Sequence, residues 1–237
     1  MVSEFVRRHW AIALILTAFL ALGTAYSMAN PLFETPDEGG HYEYVKYLAD
    51  GRGLPIVYSE FEKNAISPYV VNHPPLYYSL TALATCWIDT DDISTLMWVN
   101  PHFAGGMPVS NGNKNMIIHT DQEAFPYHGA VLANRIIRLL SVLFSVVTVL
   151  ATYLIARILF PEDKLLALGA AAINALNPQF VFMSARVGND TLVIALSSLV
   201  MLGVVQYLAN GLPTSGLVLL GLTLGAASLS KVSALGL

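Results

Sequence analysis

The 237-residue chain is 55% hydrophobic and only 12% charged, with a mean hydropathy of +0.58 and a formal net charge of −4. Soluble domains carry roughly 25% charged residues, so this composition points into a bilayer, and the small acidic excess offers nothing for nucleic acid to bind. The single cysteine, Cys86, excludes an intrachain disulfide and a cysteine metal cluster.

A spanning helix needs about 20 consecutive apolar residues. The first such run is His9–Ala29, behind Arg7 and Arg8. Ser27-Met28-Ala29 resembles a signal cleavage site, but signal cores run only about 7–15 residues, so an uncleaved anchor is expected. Next comes "NPLFETPDEGGHYEYVKYLADG", residues 30–51, which sets Glu34, Asp37 and Glu38 beside Gly39 and Gly40. Residues 35–50 read as a short helix with Thr35 as N-cap, Pro36 in the first turn and Glu38 completing a capping box. His41, Tyr44, Val45 and Leu48 share one face, a pattern suited to lying on a membrane surface. "NHPPLYYSLTALATCWI", residues 72–88, opens on Pro74 and Pro75 and is too short to span, so it reads as re-entrant or interfacial. Residues 100–129 are rich in Gly, Asn, Pro and His and read as a loop.

Further spans are expected at 134–160, 165–185, 191–209 and 216–237. The last reaches the end of the sequence without a polar tail, so the chain is expected to be the N-terminal part of a longer protein. Arg7, Arg8, Arg157 and Lys164 fall at ends assigned to the cytoplasm by the positive-inside rule, which puts the loop of about 30–133 outside. Arg135 and Arg138 sit on that outer side against the rule. Gly221 and Gly225 form a GxxxG, most simply a close helix contact. The fold class is therefore an all-α membrane protein, a multi-span helical bundle with a large outer loop carrying juxtamembrane helices.

The chemistry-bearing residues each have a bland and a sharp reading. Asp37 and Glu38 can stabilise a helix start, where negative charge is favoured by about 0.3–1 kcal/mol; capping accounts for Glu38 and leaves Asp37 free to act as a general base. Asp190, in "SARVGNDTLV", can cap the next helix with Asn189, or serve as a partner acid or metal ligand across an outer cavity. Asn189-Asp190-Thr191 also matches a glycosylation acceptor. Arg135, Arg138, Arg186 and Lys231 can snorkel or bind a lipid-linked phosphate. Lys231 lies about 21 Å along a helix from Leu217, where an ionisable group inside a membrane is a functional candidate. His41 is one turn from Asp37, while His73, His102, His119 and His128 show no ligand spacing.

The order of "PDE" (36–38), "HPPLYY" (73–78), "NRIIRLLSVL" (134–143), "NPQFVFMSARVGNDTLV" (177–193) and "SLSKVSALGL" (228–237) resembles the N-terminal part of GT-C type membrane glycosyltransferases, the class of protein O-mannosyltransferases and aminoarabinose transferases. The resemblance implies an inverting transfer of a sugar from a polyprenyl-phosphate donor to a protein, lipid or glycan at the outer face of the plasma membrane. It implies Asp37, Glu38 and Asp190 as catalytic residues, and His73, Arg135, Arg138, Arg186 and Lys231 as substrate-binding ones. No cofactor is implied, since the sugar arrives activated on lipid; distant relatives use a divalent metal, which nothing in this sequence indicates. Relatives often carry a lysine before the paired prolines, where His73 stands here. The competing reading is a polyprenyl-lipid-binding or carrier protein without catalysis, or an inactive remnant.

Overall fold

The computed structural model describes residues 2–56, 66–103 and 115–237, with side chains from His9 onward. The side chains of Arg7 and Arg8, and the middle of the 100–129 loop, lie outside the described residues. The described residues include eight α-helices: α1 Val2–Ala29, α2 Glu38–Ala49, α3 Leu76–Thr85, α4 Gly129–Leu159, α5 Lys164–Ala175, α6 Pro178–Ser184, α7 Asp190–Asn210 and α8 Thr214–Ser230. Stretches within α1, α4 and α7 are long and apolar enough to cross a membrane, and with the apolar α8 they make this an all-α membrane protein.

The sequence that read as one span over 165–185 folds as two helices, α5 and α6, bent by 60°. Pro178 explains the break. It stands in the first turn of α6, where its missing N–H costs nothing, and the Asn177 side chain accepts from the N–H groups of Gln179 and Phe180. The run over 216–237 also stops early. α8 ends at Ser230, Lys231 is extended, and Val232–Gly236 form a 3₁₀ turn.

α2 begins at Glu38 rather than at Thr35. Asp37 occupies its N-cap position in the left-handed conformation, φ 59°. The helix also does not lie on a surface: Glu38, His41, Tyr42, Tyr44, Val45 and Tyr47 are all buried. Tyr44 stacks on Tyr78 of α3 at 4.1 Å between ring centroids. Tyr residues alternating with polar positions give α2 two covered faces, whereas a single apolar stripe would have given one. α2, α3, the first turns of α4 and the start of α7 share one apolar core, with Tyr77, Tyr78, Ile137, Val187 and Leu192 among its members. A second core, with Phe19, Val142, Val149, Ala171 and Val181, joins α1, α4, α5 and α6.

Two glycine sites separate packing from pattern. A Cβ on Gly23 of α1 would meet Val142 Cγ1 at 2.7 Å, so the two helices touch through a missing side chain. Gly221 and Gly225 of the GxxxG have nothing within 4 Å of such a Cβ, so that motif makes no close helix contact among the described residues. Gly23→Ala should therefore destabilise by about 1–3 kcal/mol through overpacking, less a helix-propensity gain of about 1 kcal/mol. Gly221→Ala keeps only the gain, so thermal unfolding in one detergent should move the two variants in opposite directions.

Candidate active site

The carboxylate of Glu38 and the guanidinium of Arg138 are both fully buried and paired in a two-pronged contact, Nε to Oε1 and Nη2 to Oε2, each at 2.6 Å. Glu38 Oε1 also accepts from Val187 N at 3.1 Å and Asn134 Nδ2 at 3.5 Å. Its Oε2 accepts from Phe33 N at 3.1 Å and Thr35 Oγ1 at 2.9 Å. The remaining Arg138 donors reach the carbonyls of Ser27, Asn30 and Pro31. A guanidinium has five N–H donors, and Arg138 uses all of them. Arg135 donates to Ser27 O and to Asn30 O and lies over the Tyr127 ring.

This geometry gives Arg135 and Arg138 a structural reason for their place near the start of α4. The last carbonyls of a helix lack partners, and positive charge is favoured at that end. α1 has no basic residue in its own last turn; α4 supplies Arg135 and Arg138 to its end. The geometry bears on the roles read for these residues. Glu38 has no lone pair left for a substrate, and Arg138 has no donor left for a phosphate. Arg135 is 5% exposed and turned to backbone carbonyls, with its Nε unpartnered.

Asp37 differs in every respect from its neighbour. Its side chain is exposed and makes no capping bond. Arg186 donates to the carbonyl of Pro36, immediately before it. Arg186 also donates to Asp190 Oδ2 at 2.5 Å, and Lys231 Nζ donates to Asp190 Oδ1 at 2.5 Å. One carboxylate thus holds two cations, leaving a local excess of positive charge beside Asp37. Asp190 is the first residue of α7, and Lys231 follows α8, whose extended exit puts the ammonium against the start of α7. Asn189 stands at the N-cap position without capping. It is fully buried, with Nδ2 donating to Ser230 O at 3.0 Å, so the glycosylation pattern there is inaccessible.

His73 and His41 complete the cluster. Tyr78 Oη lies 2.7 Å from His41 Nδ1 and 3.0 Å from His73 Nδ1. Burial, followed by the charges of Arg186 and His73, pushes His41 from its ordinary 6.5 down to about 3. Burial and Lys231 likewise hold His73 below the ordinary range, against the opposing pull of Asp190 and Asp37. Tyr77 Oη meets Ser141 Oγ at 2.9 Å and accepts from Gly188 N at 3.0 Å, fixing the turn that carries Arg186 and Asp190. Sequence reasoning singled out neither Tyr77 nor Tyr78 for chemistry, and it weighed His41 there only for its spacing from Asp37; no local signal marked this hydrogen-bonded group. No group of three or more His, Cys, Asp or Glu that could hold a metal occurs among the described residues.

Residues 132–237 match the family model of dolichyl-phosphate-mannose-protein mannosyltransferases. Over that segment, just under half of the chain, the sequence is similar to that family, in keeping with the resemblance read from its motifs. The match takes in Arg135, Arg138, Arg186, Asp190 and Lys231, and it stops short of Asp37, Glu38 and His73. Neither a curated protein nor a solved structure matches the chain.

Two outcomes follow from these contacts. Glu38→Gln leaves the buried Arg138 charge uncompensated and should cost roughly 3–5 kcal/mol of stability, read as a lower unfolding temperature in detergent. A histidine held neutral contributes fully above its unfolded value of about 6.5 and loses that contribution as pH falls toward the folded value of about 3. Unfolding temperature should therefore decline through that window, and His41→Gln should flatten the decline.

Proposed function

We propose that this protein transfers a sugar, with inversion, from a polyprenyl-phosphate donor to a hydroxyl acceptor at the outer membrane face. The observation that carries the reading is an exposed, uncapped Asp37 next to the Pro36 carbonyl that Arg186 of the Arg186–Asp190–Lys231 cluster holds, in a chain with a segment similar to mannosyltransferases. Asp37 takes the proton from the acceptor hydroxyl. The oxygen attacks the anomeric carbon, the bond from that carbon to the phosphate oxygen breaks, and polyprenyl phosphate leaves with the electron pair. Lys231, the more exposed of the two cations, holds the phosphate charge, and the buried Arg186 orients the Asp190 carboxylate that carries Lys231. Charge-assisted contacts of this kind are the strong ones.

A cavity of about 530 Å³ supports a lipid-linked donor. Its lining includes Val193, Ile194, Ser197 and Met201 of α7, with Ala234 and Leu237 of the terminal segment, and it starts one helical turn from Asp190. It can take an apolar chain whose phosphate lies at the cluster. Localisation follows from the same reading: the site end faces outward, with the N-terminus in the cytoplasm.

The test is transfer from a labelled polyprenyl-phosphate hexose in membranes expressing the chain in its native reading frame. Asp37→Asn should lower the rate by about 10²–10⁴, the usual contribution of a general base, with insertion and expression unchanged. Lys231→Gln should mainly raise the KM for the donor. Wild-type rates in Asp37→Asn would remove Asp37 as the base. Donor binding without transfer by the wild type would favour a lipid carrier.

A further inference from the structure

The side chains of Asn189, His73, Tyr78 and His41 form one hydrogen-bonded chain whose direction follows from its end. Ser230 O is a carbonyl and only accepts, so the Asn189 atom 3.0 Å from it is the Nδ2 donor. The same Nδ2 lies 3.5 Å from His73 Nδ1. An amide N–H on that side favours a lone pair over a proton on Nδ1. A lone pair takes one donor, and Tyr78 Oη, closer at 3.0 Å, gives it its single proton. With that proton spent, Tyr78 Oη accepts at its other contact, and His41 Nδ1, 2.7 Å away, carries the N–H.

The neutral ring of a histidine holds one proton, so each assignment fixes the remaining nitrogen. We infer that Tyr78, oriented by His41, is a positioning residue that locks His73 as the neutral Nε2–H tautomer and so gives the site one uncharged donor for the phosphate of a lipid-linked substrate. This rests on the transferase reading for its ligand and on the hydrogen-bond directions for its tautomer. A doubly protonated His73 would put an N–H on Nδ1, opposing Asn189 and reversing the whole chain. The lowered pKa of His73 agrees with that. The charged groups acting on the ring are Lys231, Asp190 and Asp37, and Arg186 acts on its neighbour His41. Where charge is already supplied by Arg186 and Lys231, a neutral donor adds direction without adding net charge.

The decisive measurement is ¹⁵N NMR of the imidazole nitrogens in the full chain, uniformly labelled at histidine and reconstituted in nanodiscs, with His73 assigned by loss of its signals in His73→Gln. At neutral pH the wild type should show a bare Nδ1 and a protonated Nε2 at His73. A protonated Nδ1, or a doubly protonated ring, would overturn the proposal. Titration with farnesyl phosphate should then move the His73 Nε2 signal, whereas inorganic phosphate at the same concentration should not. No movement with farnesyl phosphate, or equal movement with both, would overturn the ligand assignment.

Tyr78→Phe keeps the stack on Tyr44 and removes the lock. It should mix the His73 tautomers and weaken farnesyl phosphate binding about tenfold, the scale of one hydrogen bond; unchanged tautomer populations in a folded variant would sink the role of Tyr78. The wild-type spectrum decides the tautomer whether or not that variant folds. Sugar transfer that is absent while His73 still responds to farnesyl phosphate would count against the transferase reading and leave this one standing.

Discussion

The buried Glu38–Arg138 pair is the constraint on which the site end of this protein depends. It joins four pieces of chain that no run of local sequence would bring together: the exit of α1, the 30–38 link, the third turn of α4 and the turn before α7. A charge pair removed from water is a poor source of net stability, because desolvation offsets most of its attraction. Its value here is directional. The carboxylate accepts from two backbone N–H groups and the guanidinium donates to three backbone carbonyls, so the pair sets main-chain positions as well as side-chain ones.

That arrangement divides adjacent carboxylates between two tasks. Glu38 faces inward and is consumed by structure; Asp37 is turned out by its left-handed backbone and stays available. Arg186 ties the backbone before Asp37 to the start of α7, since it holds the Pro36 carbonyl and also the Asp190 carboxylate. The charged cluster and the structural pair are therefore neighbours with separate wiring. Tyr77 and Tyr78 show the same division within one dipeptide. Tyr77 Oη supports the 186–190 turn, and Tyr78 Oη sits between two imidazoles.

Much of the membrane architecture was legible because apolar runs report directly on burial in lipid. α1, α4 and α7 lie where the hydropathy put them. The break between α5 and α6 was not, because Asn177-Pro178 sits inside an apolar stretch and only cap geometry distinguishes a bent pair from a span. Five of the candidate residues, Asp37, His73, Arg186, Asp190 and Lys231, fall in one region of the fold. The partition of roles among the candidates was not legible, since Glu38 and Arg138 are a hundred residues apart and no periodicity links them. A capping box explained Glu38 locally, and the observed contact with Thr35 is real, but it is a minor part of what the carboxylate does.

The φ of 59° at Asp37 limits which substitutions leave the main chain undisturbed. Asparagine and glycine tolerate the left-handed region, while a residue with an ordinary Cβ is disfavoured there by about 1–2 kcal/mol. Alanine at this position would thus remove a carboxylate and strain the turn in the same stroke, and the Pro36 carbonyl held by Arg186 would shift with it. Natural variation here should be confined to a narrow set of residue types for steric reasons alone, so an invariant aspartate would owe only its choice over asparagine and glycine to chemistry.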